Sequence, residues 1–244
     1  MSNGRSFLAD YLKQREEQFA NWCYDNGLKY DANPDSESRI TNFEAWEREL
    51  KERVERRKEE EKRQAELDKA IEISTMVKEF ERTIPIRYRN ADLSQIKPNP
   101  LVTALRNGSS GVILGSNGAG KNHLAWAMIR DWVKNGDTYV FIKAQELLYD
   151  IKTKDNPYRY MRERFDRIRH LLIDEIDKIF ESKADFIYLN YLVDHRYEWE
   201  MQTIVIGNGD TQTFISALGQ SIFSRLCGEG GVSMDIDASD KRFT

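Results

Sequence analysis

Cysteine is nearly absent: Cys23 and Cys227 are the only two, they lie far apart, and neither belongs to a Cys-x-x-Cys pair. That excludes a disulfide framework, a cysteine-based zinc site and a dithiol redox motif, so a reduced, cytoplasmic protein without structural metal is expected. Also missing is any run approaching the roughly 20 apolar residues that cross a bilayer. The N-terminus, MSNGRSFLADYLKQREE, lacks the apolar stretch of a secretion signal. An excess of one charge is lacking too. With 37 basic against 41 acidic side chains and a net charge of −4, nothing pulls the whole chain toward nucleic acid or anionic lipid, and any DNA contact has to be a local patch. What is present is 244 residues, 40% of them hydrophobic, enough for one full-sized core and a smaller appended unit.

Along the chain, Phe7, Leu8, Tyr11, Leu12, Phe19, Trp22 and Cys23 recur at helical spacing and Gly27 offers a stop, which predicts an amphipathic helix from Ser6 to about Cys23. Asp31 to Arg39 reads as a loop. Thr41 and Glu44 then have capping-box spacing before Trp46 and Leu50, so a second helix is expected from there. Glu55 to Gln64 contains no apolar residue. The pairs Glu47/Lys51, Glu49/Arg53, Glu52/Arg56 and Glu59/Arg63 suit a solvated helical arm, because side chains four apart face each other on a helix. The aromatic residues of this region either pack on one another or on the main domain, or they are held out for a partner. Ile84 to Arg89 reads as extended chain, and a short helical segment covers Leu101 to Arg106.

Strands and helices then alternate. The expected strands are 111–114, 138–143, 170–174, 203–207 and 231–236, and the clearest helices are 124–134 and 185–198. This order implies a parallel five-stranded sheet covered by helices on both faces. The domain boundary is expected near residue 80, giving a helical region 1–80 and an α/β domain 81–244.

Gly115-Ser116-Asn117-Gly118-Ala119-Gly120-Lys121-Asn122 follows an apolar strand and opens an amphipathic helix. In that context G-x-x-x-x-G-K is a phosphate-binding loop: the glycines let N–H groups turn toward an anion, the helix N-terminus adds partial positive charge, and Lys121 reaches the terminal phosphates. An ordinary glycine-rich turn would explain the glycines but not the lysine. The hydroxyl that usually follows is replaced by Asn122, whose side-chain oxygen is a weaker magnesium ligand, so slow hydrolysis is expected. His170-Leu-Leu-Ile-Asp174-Glu175 ends a buried strand in two carboxylates, suited to magnesium binding by Asp174 and water polarisation by Glu175. Gln202-Thr-Ile-Val-Ile-Gly-Asn208 ends in a residue able to orient water or sense a γ-phosphate. Arg225, on a helix near the C-terminus, is on spacing alone most simply a surface salt bridge, with an arginine finger as the alternative.

Taken together, GSNGAGKNHLA, HLLIDEI, TIVIGN and IFSRL, in this order and spacing, resemble the DnaC-like helicase loaders and the IstB-type transposition ATPases over about residues 84–242. GKNHLA is the most specific element, and Ile84-Pro-Ile-Arg-Tyr-Arg89 resembles the lead-in to their ATPase core. The resemblance implies a P-loop AAA+ core without a C-terminal lid domain. It assigns ATP phosphates to Gly115–Asn122 with His123 adjoining, Mg2+ to Asn122 and Asp174, water activation to Glu175, the first sensor to Asn208 and a finger acting across a homo-oligomer interface to Arg225. A second sensor at Lys241 or Arg242 aligns less securely. The resemblance implies that the N-terminal region binds a hexameric replicative helicase, although it shares no recognisable motif with the loaders. It also implies single-stranded DNA contact by an insertion between the second and third strands. There Lys152, Lys154, Arg159, Arg162, Arg164 and Arg167 mix with Tyr149, Tyr158, Tyr160 and Phe165, a combination suited to backbone contact and base stacking, though Glu146, Asp150, Asp155, Glu163 and Asp166 dilute the charge. The function expected is an ATP-dependent loader of phage or mobile-element type. Its rivals are a transposition regulator, a nucleotide-gated adaptor with little turnover, and a small-molecule kinase, the last disfavoured by the Asp174-Glu175 pair and Arg225. No NKxD or TKxD motif supports a GTPase.

Overall fold

A computed structural model describes the backbone of residues 3–179, 183–228 and 230–236, and the side chains among these from residue 11 onward except 183 and 184. Lys241 and Arg242 lie outside the described residues, as do the side chains of Phe7 and Leu8. The chain divides into two compact units, Met1–Lys69 and Ala70–Thr244.

The first unit contains helix α1 (Asn3–Asp25) and most of helix α2 (Glu37–Thr83). Gly27, with φ +69°, closes α1: the Leu28 N–H donates to the Cys23 carbonyl at 2.8 Å and the Gly27 N–H to that of Tyr24 at 3.0 Å, satisfying carbonyls the helix end would leave unpaired. Helix α2 begins earlier than its sequence suggests. Ser36, not Thr41, caps it, its hydroxyl accepting from the Arg39 N–H at 3.3 Å, whereas Thr41 lies inside the helix and bonds back to the Glu37 carbonyl. Phe19, Cys23 and Trp46 are buried, with Trp22, Tyr30, Phe43 and Leu50 packed against them; the Phe19 and Phe43 rings meet edge to face at 5.1 Å. These aromatics therefore pack on one another, while Tyr11, Leu12 and Tyr24 stay exposed. Glu47 and Glu49 are drawn not to lysine or arginine one turn along α2 but across to Arg15 and Trp22 of α1. From Lys51 to Glu72 every residue is exposed, a solvated stretch carrying ion pairs such as Arg57 with Glu61.

The second unit is built on a parallel sheet of β1 (Gly111–Gly115), β2 (Tyr139–Lys143), β3 (His170–Asp174), β4 (Gln202–Ile206) and β5 (Val232–Ile236), ordered β2-β3-β4-β1-β5. β1, β3 and β4 are buried throughout, as expected of near-continuous apolar runs covered on both faces. One core layer joins the sheet to the end of α2, to α3 (Pro100–Arg106) and to α4 (Lys121–Lys134); Phe80, Ile84 and Trp132 belong to it. The other layer joins the sheet to α5 (Ala144–Lys152), α6 (Pro157–Phe165), α7 (Lys183–Glu198) and α8 (Thr211–Cys227). Asn99, Asn156 and Asp210 cap α3, α6 and α8 through their side chains.

The segment 84–89 is not extended throughout. After Pro85 it forms a 3-10 turn, Ile86–Tyr88, closed by the Tyr88 N–H on the Pro85 carbonyl at 2.8 Å. Arg196 of α7 is fully buried and donates to the carbonyls of Phe165, Ile168 and Gln202 at 2.8, 3.0 and 2.7 Å. Burial pushes its pKa down to about 10, so it stays charged at neutral pH and ties the starts of β3 and β4 together.

Candidate functional site

The carboxyl ends of β1, β3 and β4 converge on one cavity of about 660 Å³, lined by residues Asn117 to His123 together with Asp174, Glu175, Asp177 and Asn208. Backbone geometry forces the loop. A side chain at Gly115, φ +146°, would bring its Cβ within 2.0 Å of the Ile236 carbonyl oxygen. Gly120 has φ +95° as the residue leading into α4, a conformation that costs other residues about 1–2 kcal/mol. The chain thus delivers the N-terminus of α4, with its unpaired N–H groups, to the cavity.

Lys121 is buried beneath this loop. Its ammonium donates to the carbonyls of Gly115 and Ser116, each at 2.8 Å, and to Asn208 Oδ1 at 3.0 Å. Burial lowers its pKa, opposed by Asp174 and Asp177. Asn208 is held in turn by Asp177, which accepts from the Asn208 backbone N–H at 2.9 Å and from its side-chain amide at 3.1 Å. The β1–β4 pairing brings these loops side by side, so residues 87 apart in sequence share a bond.

Asp174 ends β3 and is buried. One carboxylate oxygen accepts from the Glu175 N–H and the other from the Asn122 amide, both at 2.8 Å. Burial nonetheless raises its pKa, with the hydrogen bonds and Lys143 pulling the other way. A divalent cation fits this donor set: it would offset the cost of keeping Asp174 charged, and one carboxylate with phosphate and water oxygens is a common magnesium environment. In the observed geometry Asn122 orients Asp174 by donating to it; to offer its own oxygen to a cation the amide would have to turn. Glu175 takes a left-handed backbone, φ +55°, and its carboxylate pairs with Lys143 at 2.8 Å, a contact that raises the lysine's pKa.

Arg225 stands apart from this cavity. It borders a groove of about 520 Å³, and its guanidinium pairs with Asp194 of α7 and with the Ser221 hydroxyl. The salt-bridge reading of the sequence is therefore realised within the chain.

Of the residues considered for nucleic acid, Phe165 is fully buried in the core on the inner side of α6, so it cannot stack on a base. Lys152 pairs with Asp185, Arg159 with Glu163 and Arg164 with Asp150, and Lys154 lies 5.0 Å over the Tyr160 ring. Arg162 and Arg167 are exposed, as is Tyr149.

The sequence-based set omits Asp177 and Lys143. Asp177 repeats the carboxylate one turn after Asp174, and the signal was in DEID itself. Lys143 is opposite Asp174 in the β2–β3 register, a relation visible only once the sheet order is known. Among the described residues no cluster of three or more His, Cys, Asp or Glu suits a metal, and no helix is long and apolar enough to cross a membrane.

Comparison with known proteins agrees with this architecture. The family model for IstB-like ATP binding protein matches residues 34–224. The replicative helicase loader DnaC of Buchnera aphidicola subsp. Baizongia pistaciae is 28% identical over 126 residues, covering 50% of this chain and 51% of the relative. The DnaC of Escherichia coli strain K12 is 25% identical over 124 residues, covering 49% and 51%. The chain thus spans about half the length of these curated relatives. Among solved structures, AMPPCP-bound DnaA from Aquifex aeolicus matches with a TM-score of 0.51 at 22% identity, over 63% of this chain and 51% of that one, a likeness of fold.

Proposed function

Because the chain belongs to the IstB-like ATP-binding family, we propose that it is an ATP-hydrolysing loader that holds a DnaB-type replicative helicase and delivers it to single-stranded DNA. The observation that carries the reading is the bonded set Lys121–Asn208–Asp177 beside Asn122–Asp174–Glu175, found in a chain whose relatives include proteins named DnaC. In this reading the N–H groups of Gly115–Asn122 wrap the phosphates and Lys121 exchanges its carbonyl partners for phosphate oxygens. Asn208 then senses the γ-phosphate, kept in register by Asp177. Asp174, steadied by the Asn122 amide, is the residue that would hold a magnesium ion, which would supply neutralisation of phosphate charge. Glu175 orients the attacking water once its carboxylate is free of Lys143.

Residues 1–80 are assigned to the helicase and residues 81–244 to ATP. Tyr11, Leu12 and Tyr24 are the side chains of the hairpin best suited to contact the helicase, since Phe19 and Trp46 are spent on its interior. Subunits meet through their ATP sites as a homo-oligomer. For single-stranded DNA the candidates reduce to Arg162, Arg167 and Tyr149, with Lys152, Lys154, Arg159 and Tyr160 able to join only by giving up present partners.

The test is a loading assay with purified DnaB-type helicase on circular single-stranded DNA. Helicase retained on DNA in the presence of the chain and ATP, and not with Glu175→Gln, is the expected outcome. No loading with either protein, together with ATP-dependent binding to duplex DNA and a transposase, would move the assignment to a transposition regulator, the reading that the IstB-like family match favours.

A further inference from the structure

Arg225 is the cation that the resemblance to the helicase loaders implies as a finger reaching another subunit, yet within its own chain it is already engaged. Its Nε pairs with Asp194 on α7, and its Nη1 donates to the Ser221 hydroxyl at 2.5 Å. Asp194 is itself fixed: its other oxygen accepts from the Asn190 amide, one turn earlier on α7, at 3.0 Å. The oxygen facing Arg225 is shut off from solvent, although both side chains remain about a third exposed, 34% for Arg225 and 29% for Asp194. A guanidinium has five N–H donors in a rigid plane. Nη1 donates also to the Ser221 carbonyl at 3.3 Å, so holding the group at Nε and Nη1 fixes that plane while leaving Nη2 out of these bonds. The groove of about 520 Å³ that Arg225 borders is lined also by Tyr197, Glu200 and Gly230.

We infer that Asp194 is the positioning residue for Arg225, gripping the Nε edge so that Nη2 is presented to the terminal phosphate of ATP bound by a second copy of the chain. The inference rests on the reading of Arg225 as acting in trans. Asn190 and Asp194 form a brace: α7 sets the carboxylate, the carboxylate sets the plane, and α8 carries the arginine. Prepaid orientation is where such a group contributes to rate, because a displacement of about 1 Å at a reacting centre costs up to about 100-fold. A surface ion pair with no such role would leave turnover unchanged when broken.

The test measures steady-state phosphate release by the full chain for wild type, Arg225→Ala, Asp194→Asn and Glu175→Gln, alone and in mixtures. Asp194→Asn is expected to lower kcat about tenfold with KM for ATP unchanged. Mixing Asp194→Asn with Glu175→Gln should restore turnover, because the Glu175→Gln subunits lend a well-held Arg225 to intact sites. Mixing it with Arg225→Ala should not. Asn190→Ala, which loosens Asp194 without removing it, provides a second variant, with about a threefold fall in kcat expected should Asp194→Asn fold poorly. Wild-type kcat for both Asp194→Asn and Asn190→Ala beside a large loss for Arg225→Ala would overturn the role of Asp194 alone. A loss in Asp194→Asn that Glu175→Gln subunits fail to restore, while they do restore Arg225→Ala, would show a merely structural residue. Wild-type kcat for Arg225→Ala would overturn the finger itself and the inference with it.

Discussion

In the unit of residues 70–244, charge is taken into the interior around the nucleotide cavity: Lys121 and Asp174 are both buried there, and burial opposes the charged form of each. The hairpin of residues 3–69 handles charge differently. Among the described residues its buried side chains are Phe19, Cys23 and Trp46, while Arg39, Glu16 and Arg15 ring them from the rim, Arg39 lying 5.4 Å over the Phe19 face. The contrast separates two uses of polar groups. On the hairpin they secure a small aromatic core and leave Tyr11 and Leu12 outside; at the cavity they cost stability and are kept for chemistry.

The sharpest way to divide the two regions is Phe19→Ala. Removing a buried aromatic costs about 3–5 kcal/mol, so the hairpin should unfold, seen as loss of the Trp22 and Trp46 near-ultraviolet signal, while phosphate release stays within about twofold of wild type. Lys121→Ala should do the reverse, lowering ATP hydrolysis by at least about 100-fold through lost charge stabilisation with the hairpin signal intact. A third effect is smaller and opposite in sign for stability. The folded pKa of Asp174 is raised above the ordinary 3.8, so the folded state binds more protons than the unfolded state as pH climbs from that value, and stability falls through this window. Asp174→Asn removes this loss: without ligand its Tm should exceed that of wild type by a margin that opens between about pH 4 and neutrality, while hydrolysis disappears. Thermal melts at several pH values check it. The smallest effect is on DNA. Arg162→Ala with Arg167→Ala should weaken single-strand binding about threefold and reduce its salt dependence by about one ion, read by fluorescence anisotropy, whereas Phe165→Ala should act only through the core.

The α/β unit was legible because its signals are local and redundant. β1, β3 and β4 are runs too apolar to lie anywhere but inside a sheet, and Gly115, Gly120 and Lys121 occur at a spacing that a phosphate loop demands. The expected strands agree with the observed ones to within a residue at each end. Where a signal depended on the partner strand or helix, it was lost. Lys143 meets Glu175 only because β2 lies beside β3, and Asp194 meets Arg225 only because α7 packs on α8. Thr41 has a cap's spacing, but Ser36 offers the same hydroxyl earlier and takes the role, and Glu47 and Glu49 have partners one turn along their own helix in sequence but meet Arg15 and Trp22 because α1 folds back on α2. Phe165 illustrates the converse, an aromatic in a basic setting whose helical phase turned it inward.

On the proposed function, the ATP cavity and the helicase contact belong to different parts of one chain. This is tested most directly by capture of purified DnaB-type helicase on immobilised wild-type chain, on Lys121→Ala, and on the Tyr11→Asp, Leu12→Asp double variant. Tyr11 and Leu12 are 51% and 56% exposed, so charge there should leave the hairpin folded. Capture by wild type and by Lys121→Ala, and its loss in the double variant with phosphate release unchanged, is the expected result. Capture that survives in the double variant but fails with Lys121→Ala would contradict it.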